Sequence, residues 1–250
     1  MGQVEQMIRY AYWNSGCKGI LIGMSGGLDS AVAATFCCRA VGPGKVLGLS
    51  LPSAVSTKKD CEDATALCTM LGMEHLIISI EPMLSGFRQI PGFTESPYLL
   101  GNLMARIRMT VLYYYANRDN RLVCGTSNRS EYLLGYCTKF GDNAADIQPI
   151  LHLYKSDVYV MARELGIPDS ILKKTPSAGL WEGQSDEGEI GLSYDQIDTS
   201  LRALDDQSWQ PKNAIEEKVL TLVKKSGHKR MGAPNLLAVP QKPDGTAPGN

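Results

Sequence analysis

The chain has little of several things that would otherwise steer its reading. It holds three histidines and seven cysteines in 250 residues. The cysteine count is odd and no two stand as Cys-x-x-Cys, so neither a zinc ribbon nor a disulfide scaffold is indicated. Reduced thiols in a cytoplasmic protein are the expectation. No apolar run is long enough to span a bilayer. Met1 to Gln6 lacks the basic-then-apolar pattern of a signal peptide, and Gln6 stands where a myristoylation signal needs Ser or Thr. A formal net charge of −1 leaves no positive excess for a broad nucleic-acid surface. Internal repeats are absent. So is Gly-x-x-x-x-Gly-Lys-[Ser/Thr], which excludes a Walker A loop.

What is present is organised around Gly23-Met24-Ser25-Gly26-Gly27-Leu28-Asp29-Ser30. An apolar run from Gly19 leads in and a helix-forming run, Ala31 to Ala40, leads out. A strand that ends in glycines and opens a helix turns backbone N–H groups outward at the helix N-terminus, a ready site for phosphate. Gly26 and Gly27 let an anion approach the backbone closely. Ser25 and Ser30 add hydroxyl donors. A carboxylate at Asp29 would repel phosphate alone and makes sense if it holds Mg²⁺ against it. The plain alternative is an ordinary Gly-rich strand-to-helix turn.

Around that loop the pattern predicts a helix over Val4 to Trp13, a strand over Lys18 to Met24, a second strand over Lys45 to Leu51, a helix over Thr57 to Leu71 and a third strand over Glu74 to Ile80. Strand–helix–strand–helix–strand with apolar strands is an α/β fold, a doubly wound parallel sheet of Rossmann-like type with helices following it. Ligands bind beyond the C-terminal strand ends of such sheets, which makes the Leu51-Pro52-Ser53 corner a candidate adenine or ribose contact. Glu81 to Pro97, rich in Pro and Gly, reads as an irregular surface excursion. Tyr98 to Arg118 reads as a long helix. Leu100, Leu103, Met104, Ile107, Val111 and Tyr114 make one stripe, and Leu99, Leu112, Tyr113 and Tyr115 make a second. Such a helix is either fully buried or shared with a partner chain. Arg108 on it reads as an ordinary solvated arginine. Cys37 with Cys38, and Cys61 with Cys68, read as core packing.

The second half carries more polar chemistry. Arg121 to Cys124 is a fourth strand ending at Gly125-Thr126, and Asn128 is a plausible N-cap. Lys139 to Asp146 is a loop with one cation and two carboxylates. Tyr154 to Leu165 reads as a helix with Lys155 at its start, an unfavourable place for a cation unless it meets an anion. Pro176 to Gly191 contains four glycines and four acidic residues and reads either as a plain connection or as a lid. Helices over Tyr194 to Leu204 and Ala214 to Lys225 precede His228-Lys229-Arg230. Residues 1–235 form one domain, and 236–250 a flexible Pro/Gly-rich tail.

Ser-Gly-Gly-x-Asp-Ser after a strand resembles the loop of the ATP pyrophosphatase superfamily, whose fold is adenine nucleotide alpha-hydrolase-like. Further runs narrow the resemblance: Gly101-Asn102-x-x-Ala105-Arg106-x-Arg108-Met109, Gly125-Thr126-x-Asn128-x-x-Glu131, and Lys139-Phe140-Gly141-Asp142-x-x-x-Asp146. Lys155, the run from Pro176 through Asp186-Glu187, and His228-Lys229-Arg230 complete it. Together, from about residue 20 to about 234, they resemble the ammonia-dependent NAD synthetases. Ser177 stands where many relatives have Thr, and keeps the hydroxyl.

The resemblance implies ATP and Mg²⁺, with nicotinic acid adenine dinucleotide (deamido-NAD) as substrate, ammonia as nitrogen donor, and a homodimer. Carried over by position, ATP contacts Gly23, Met24, Ser25, Gly26, Gly27, Leu28, Asp29, Ser30, Thr126, Lys155 and Ser177. Asp29 and Glu131 hold Mg²⁺. Arg106, Lys139, Asp146, His228 and Lys229 contact the dinucleotide. Asp142 or Asp146 would bind ammonium and take its proton, with Asp142 preferred; the plain alternative for either is a loop-capping Asx turn. No histidine sits in a glutaminase motif beside a cysteine, so free ammonia rather than glutamine is expected. The competing readings are another pyrophosphate-loop amidating enzyme, such as a GMP synthetase-type subunit, and a non-catalytic nucleotide-binding protein.

Overall fold

Ile20, Leu21 and Ile22 form an apolar run with no polar interruption, which needs protein on both sides of it. In the computed structural model, which describes residues 2–177, 179–181 and 183–233, this run is the heart of a parallel sheet. In chain order the elements are α1 (Gly2–Ser15), β1 (Gly19–Gly23), α2 (Leu28–Val41), β2 (Val46–Ser50), α3 (Lys58–Leu71), β3 (Glu74–Ile77), α4 (Glu81–Phe87), α5 (Pro97–Asp119) and β4 (Arg121–Cys124). There follow α6 (Arg129–Leu134), α7 (Lys155–Glu164), α8 (Asp169–Leu172), α9 (Asp186–Ile190), α10 (Tyr194–Asp206), α11 (Ala214–Lys225) and α12 (Gly227–Arg230).

The strand order is β3-β2-β1-β4, with every pair parallel. The chain winds outward from β1 to β3, then returns through α5 to lay β4 on the other side of β1. The order therefore reverses between β1 and β4, and the crevice at such a reversal is where α/β sheets bind ligands. The loop after β1 and the Gly125-Thr126 turn after β4 both open there.

Period-two alternation sends Ile20 and Ile22 to one face, with Val32, Phe36, Val158 and Ala162 from α2 and α7. Leu21 goes to the other face, with Leu49, Ile80, Leu84, Met104 and Ile107 beneath α4 and α5. A separate apolar cluster joins α6, α10 and α11 through Leu134, Ile197, Leu201, Leu204 and Val219. None of the helices among the described residues is long and apolar enough to cross a membrane.

Several expectations need correction. The excursion from Glu81 contains a helix, α4, because Leu84 reaches the core and overrides the local Pro and Gly. β3 stops at Ile77, yet Ile78 N–H still donates to Ser50 O at 2.9 Å and Ile80 N–H to Pro52 O at 3.0 Å. On α5, Tyr114 is 64 % exposed while Leu112 and Tyr115 pack on the core. At 3.6 residues per turn Tyr115 lies roughly 20° from the direction of Met104, and Tyr114 roughly 80° away. Cys37, Cys38 and Cys68 are core residues as expected, but Cys61 is only half-buried. Pro176 to Gly191 is not structureless throughout, since Ser185 caps the short helix α9. The predicted tail, 236–250, lies outside the described residues.

Candidate active site

The loop after β1 is pinned before any ligand arrives. Met24 N–H donates to Leu49 O at 2.8 Å, and Met24 O accepts from the Ser50 hydroxyl at 2.7 Å. Gly26 takes φ +72°, and a Cβ there would run into the backbone carbonyl of Asp60, so glycine is required. Ser25 Oγ accepts Gly27 N–H at 3.2 Å and lies 3.2 Å from Ser30 Oγ, which donates to Gly27 O at 2.9 Å. Gly27 caps α2 without a side-chain acceptor, leaving first-turn amides facing the crevice.

Opposite the loop stands a buried ion cluster. Lys155, 3 % exposed, sets its ammonium 2.5 Å from Asp29 Oδ2 and 3.2 Å from Glu131 Oε1. The lysine at the α7 N-terminus thus has the anions that its position called for. Asn128 ties the acids together: its Nδ2 donates to Asp29 Oδ1 at 2.9 Å, and its Oδ1 accepts Glu131 N–H at 3.0 Å as the N-cap of α6. Burial raises the Glu131 carboxyl to about 7, with Asp29 and Asp186 adding to the rise and Lys155 opposing it. The Lys155 ammonium is held well above its ordinary value; Asp29 and Glu131 outweigh the burial that would lower it.

Asp186 was not among the expected ligands. It is buried, its Oδ2 accepts the Tyr194 hydroxyl at 2.9 Å, and its Oδ1 is buried with no hydrogen-bond partner. Burial raises its carboxyl. Among the described residues there is no ready-made group of three His, Cys, Asp or Glu side chains in metal-binding array.

These groups line one cleft of about 690 Å³, within the size range of small-molecule sites. Its walls include Met24, Ser25, Gly27 to Ser30, Leu51, Pro52, Thr126, Asp142, Lys155, Ser177 and Lys229. Asp142 is open to the cleft interior, accepts Thr138 N–H at 2.8 Å through Oδ1, and has its carboxyl raised by the protein packed around it. It is therefore both a loop cap and a cleft wall. Arg108 overturns its solvated reading. Its Nε donates to Leu51 O at 3.0 Å, it lines the cleft, and burial lowers its guanidinium while the charge of Asp142 counters this. The signal was its spacing from Arg106 on α5, which alone could not show which arginine turns inward.

Arg106, Lys139, Asp146 and His228 stand outside this cleft. Three of them form a chain of contacts: Arg106 donates to Lys139 O at 3.3 Å, and Lys139 Nζ donates to His228 O at 2.6 Å. Asp146 accepts Val123 N–H at 2.7 Å and the Tyr113 hydroxyl at 3.3 Å. Lys229 Nζ donates to the carbonyls of Gly135 at 2.8 Å and Cys137 at 2.7 Å. Arg230 is not solvated charge; it donates to Leu133 O and Val223 O, both at 2.6 Å.

A parallel sheet whose switch point presents a Ser-Gly-Gly loop, a helix N-terminus and a lysine among acids defines a nucleotide-binding α/β protein of the pyrophosphate-loop class. Residues 1–233 match the NAD synthase family, and the chain belongs to it. It is 69 % identical over 240 residues to the NH(3)-dependent NAD(+) synthetase of Methanoregula boonei, covering 96 % of this chain and 97 % of that one. It is 45 % identical over 225 residues to the enzyme of the same description from Thermococcus kodakarensis, covering 86 % and 88 %. Among solved structures, the NH3-dependent NAD synthetase of Campylobacter jejuni superposes with TM-score 0.80 at 35 % identity, over 94 % and 96 % of the two chains. An NMN synthetase from Francisella tularensis superposes with TM-score 0.86 at 39 % identity, over 94 % and 95 %.

Proposed function

We propose that the chain amidates the nicotinate carboxylate of deamido-NAD with ammonia, using ATP and releasing AMP and pyrophosphate. The observation that carries this reading is the Asp29–Lys155–Glu131 cluster facing the pyrophosphate loop, in a chain of the NAD synthase family.

The chemistry runs in two displacements. A carboxylate oxygen attacks the α-phosphorus of ATP, the bond from that phosphorus to the α–β bridging oxygen breaks, and pyrophosphate leaves. Ammonia then attacks the acyl carbon, the C–O bond to AMP breaks, and one proton is released. Negative charge grows on the departing pyrophosphate, where the amides of Gly27 to Ser30 and the Lys155 ammonium stabilise it. Thr126 and Ser177 add hydroxyls along the ATP path. Asp142 binds ammonium and takes its proton, a role suited to a carboxyl raised by its surroundings.

Mg²⁺ fits the residues present. Three carboxyls, Asp29, Glu131 and Asp186, gather around the single ammonium of Lys155, and Asp186 Oδ1 is buried without a partner, so the site has oxygen donors to spare for a cation. Asp29 and Glu131 would hold the ion together with phosphate oxygens. When bound, it supplies charge neutralisation at the phosphates.

Arg106, Lys139, Asp146, His228 and Lys229 would contact the dinucleotide. Leu99 and Tyr114, 52 % and 64 % exposed, flank Arg106 on the outer side of α5. A second copy packed there would make the proposed homodimer and bring the dinucleotide site to the interface. Sedimentation at micromolar concentration should then give a dimer; an active monomer would remove this part.

The decisive assay supplies ATP, Mg²⁺ and ammonium with one acceptor at a time: deamido-NAD, nicotinate mononucleotide or xanthosine monophosphate. AMP should form only with the first. Product from the mononucleotide would move the chain toward the NMN synthetase it superposes on, and product from xanthosine monophosphate toward GMP synthetases. Glutamine in place of ammonium should give little NAD⁺ and no glutamate.

A further inference from the structure

Lys174 belongs to none of the residues assigned so far, yet it touches the centre of the loop. Its ammonium donates to Gly26 O at 2.8 Å and Asp60 Oδ1 at 2.6 Å, and lies 3.4 Å from Asp63 Oδ2. Asp60 is itself fixed, because its other oxygen accepts Thr57 N–H at 3.1 Å in the capping box of α3. Lysine and Thr57 together hold the Asp60 carboxyl below its ordinary value against the effect of burial. The same α3 turn crowds Gly26, whose missing Cβ would meet Asp60 O.

A trans peptide points its C=O and the next N–H in opposite directions. No cis peptide occurs among the described residues. Drawing Gly26 O toward Lys174 therefore aims Gly27 N–H the other way, toward Ser25 Oγ and the phosphate side of the loop. Gly26 has no side chain to lock its torsions, so the peptide needs an outside hold. Lys174 also stands three residues before Ser177, at the entrance to the segment that lines the cleft.

We propose that Lys174 is a positioning residue that sets the Gly26–Gly27 peptide for pyrophosphate. The proposal rests on the pyrophosphate-loop reading above. It predicts a selective loss: the loop's affinity for pyrophosphate depends on Lys174, whereas AMP, which lacks the phosphates the loop cradles, does not sense it.

Calorimetric titration of Mg-pyrophosphate and, separately, AMP into wild type, Lys174→Met and Lys174→Arg tests this. Lys174→Met should weaken pyrophosphate about ten- to a hundredfold, the usual effect of losing a charge-assisted hydrogen bond, with AMP affinity within twofold. Lys174→Arg should recover most of the loss. If Lys174→Met does not fold, Lys174→Gln, which keeps an N–H but no charge, should lie between wild type and that loss. Unchanged pyrophosphate affinity, or equal weakening of both ligands, overturns the clamp. Wild type that binds no pyrophosphate removes the functional reading itself, a separate result.

Discussion

The two ends of the site are built from different material. The nucleotide end uses backbone amides, a φ-positive glycine and an ion cluster whose lysine is 3 % exposed. Each part is gripped by a neighbour: Met24 by β2, Gly26 by Lys174, Asp29 by Asn128, and Lys155 by both acids. The proposed dinucleotide end uses long side chains at the rim, and Lys139 spends its ammonium on the His228 carbonyl. The first end is finished within one chain. The second has donors that must exchange a carbonyl for a ligand, so under the proposed function it would gain its full geometry from the dinucleotide and a second copy. Pre-organisation belongs where charge develops; recognition of a large flexible substrate can be left to ordering on binding.

The sharpest way to break the contrast is Lys155→Met. It removes the cation that offsets Asp29, Glu131 and Asp186, and should cut kcat about 10²- to 10³-fold. The acids left unpaired would take up protons more readily, so the variant's melting temperature should rise as pH falls. A variant with near-normal kcat would mean that the cluster is only structural.

At the other end Arg106→Ala should raise KM for deamido-NAD about tenfold while KM for ATP stays within twofold, since a charged hydrogen bond made at the rim is replaced by water. A parallel rise for both substrates would erase the distinction between the two ends.

A smaller effect comes from protons. Burial raises Glu131 to about 7 from an ordinary value of 4.5. Between these values the folded protein holds a proton that the unfolded chain has lost. The contribution of this group to stability therefore falls as pH rises through the window. In Glu131→Gln the melting temperature should vary less between about pH 5 and pH 7 than in wild type. Identical slopes would show that Glu131 ionises normally. Asp29→Asn, tested beside it, should cripple adenylation with the fold intact.

Much of this was legible in the sequence because it is local. Gly23 to Ser30, the Asn128 cap and the apolar strands each declare themselves within a few residues. Lys155 at a helix N-terminus announced a partner without naming it. Lys174 and Asp186 were not legible, because their roles come from contacts across 148 residues to Gly26 and from burial against Tyr194. Arg108 failed for a related reason: two arginines two positions apart differ only by which way a packed helix is turned. The helix at Glu81 was hidden by prolines and glycines that tertiary packing overrides.

The smallest effect sharpens the comparison at the segment joining the two ends. From Pro176 to Gly191 the described residues are held by hydrogen bonds that a ligand could exchange. Tyr136 donates its hydroxyl to Glu189 Oε2 at 2.7 Å and accepts from Gln184 Nε2 at 3.3 Å. Gln184 Oε1 in turn accepts Leu180 N–H at 2.8 Å, and Leu180 packs against Gly101, where even a Cβ would come within 3.0 Å. Tyr136 belongs to the helical side and Gly101 to α5, so the latch reaches from one wall of the cleft to the other. Tyr136→Phe deletes the hydroxyl, and with it both bonds, but keeps the ring. Gln184 Nε2 retains its 3.0 Å bond to Glu189 Oε2, so the net loss is the bond from Tyr136 to Glu189. At about 1 kcal/mol for one hydrogen bond, the open form should become roughly fivefold more populated. Limited proteolysis between Pro176 and Gly191 should then speed up by that factor without ligand. ATP with deamido-NAD should suppress cutting in both proteins, because closure over bound substrates adds contacts that Tyr136 does not supply. Equal cutting of wild type with and without ligands would make the segment a plain connection. An unchanged rate in Tyr136→Phe would place the latch elsewhere along it.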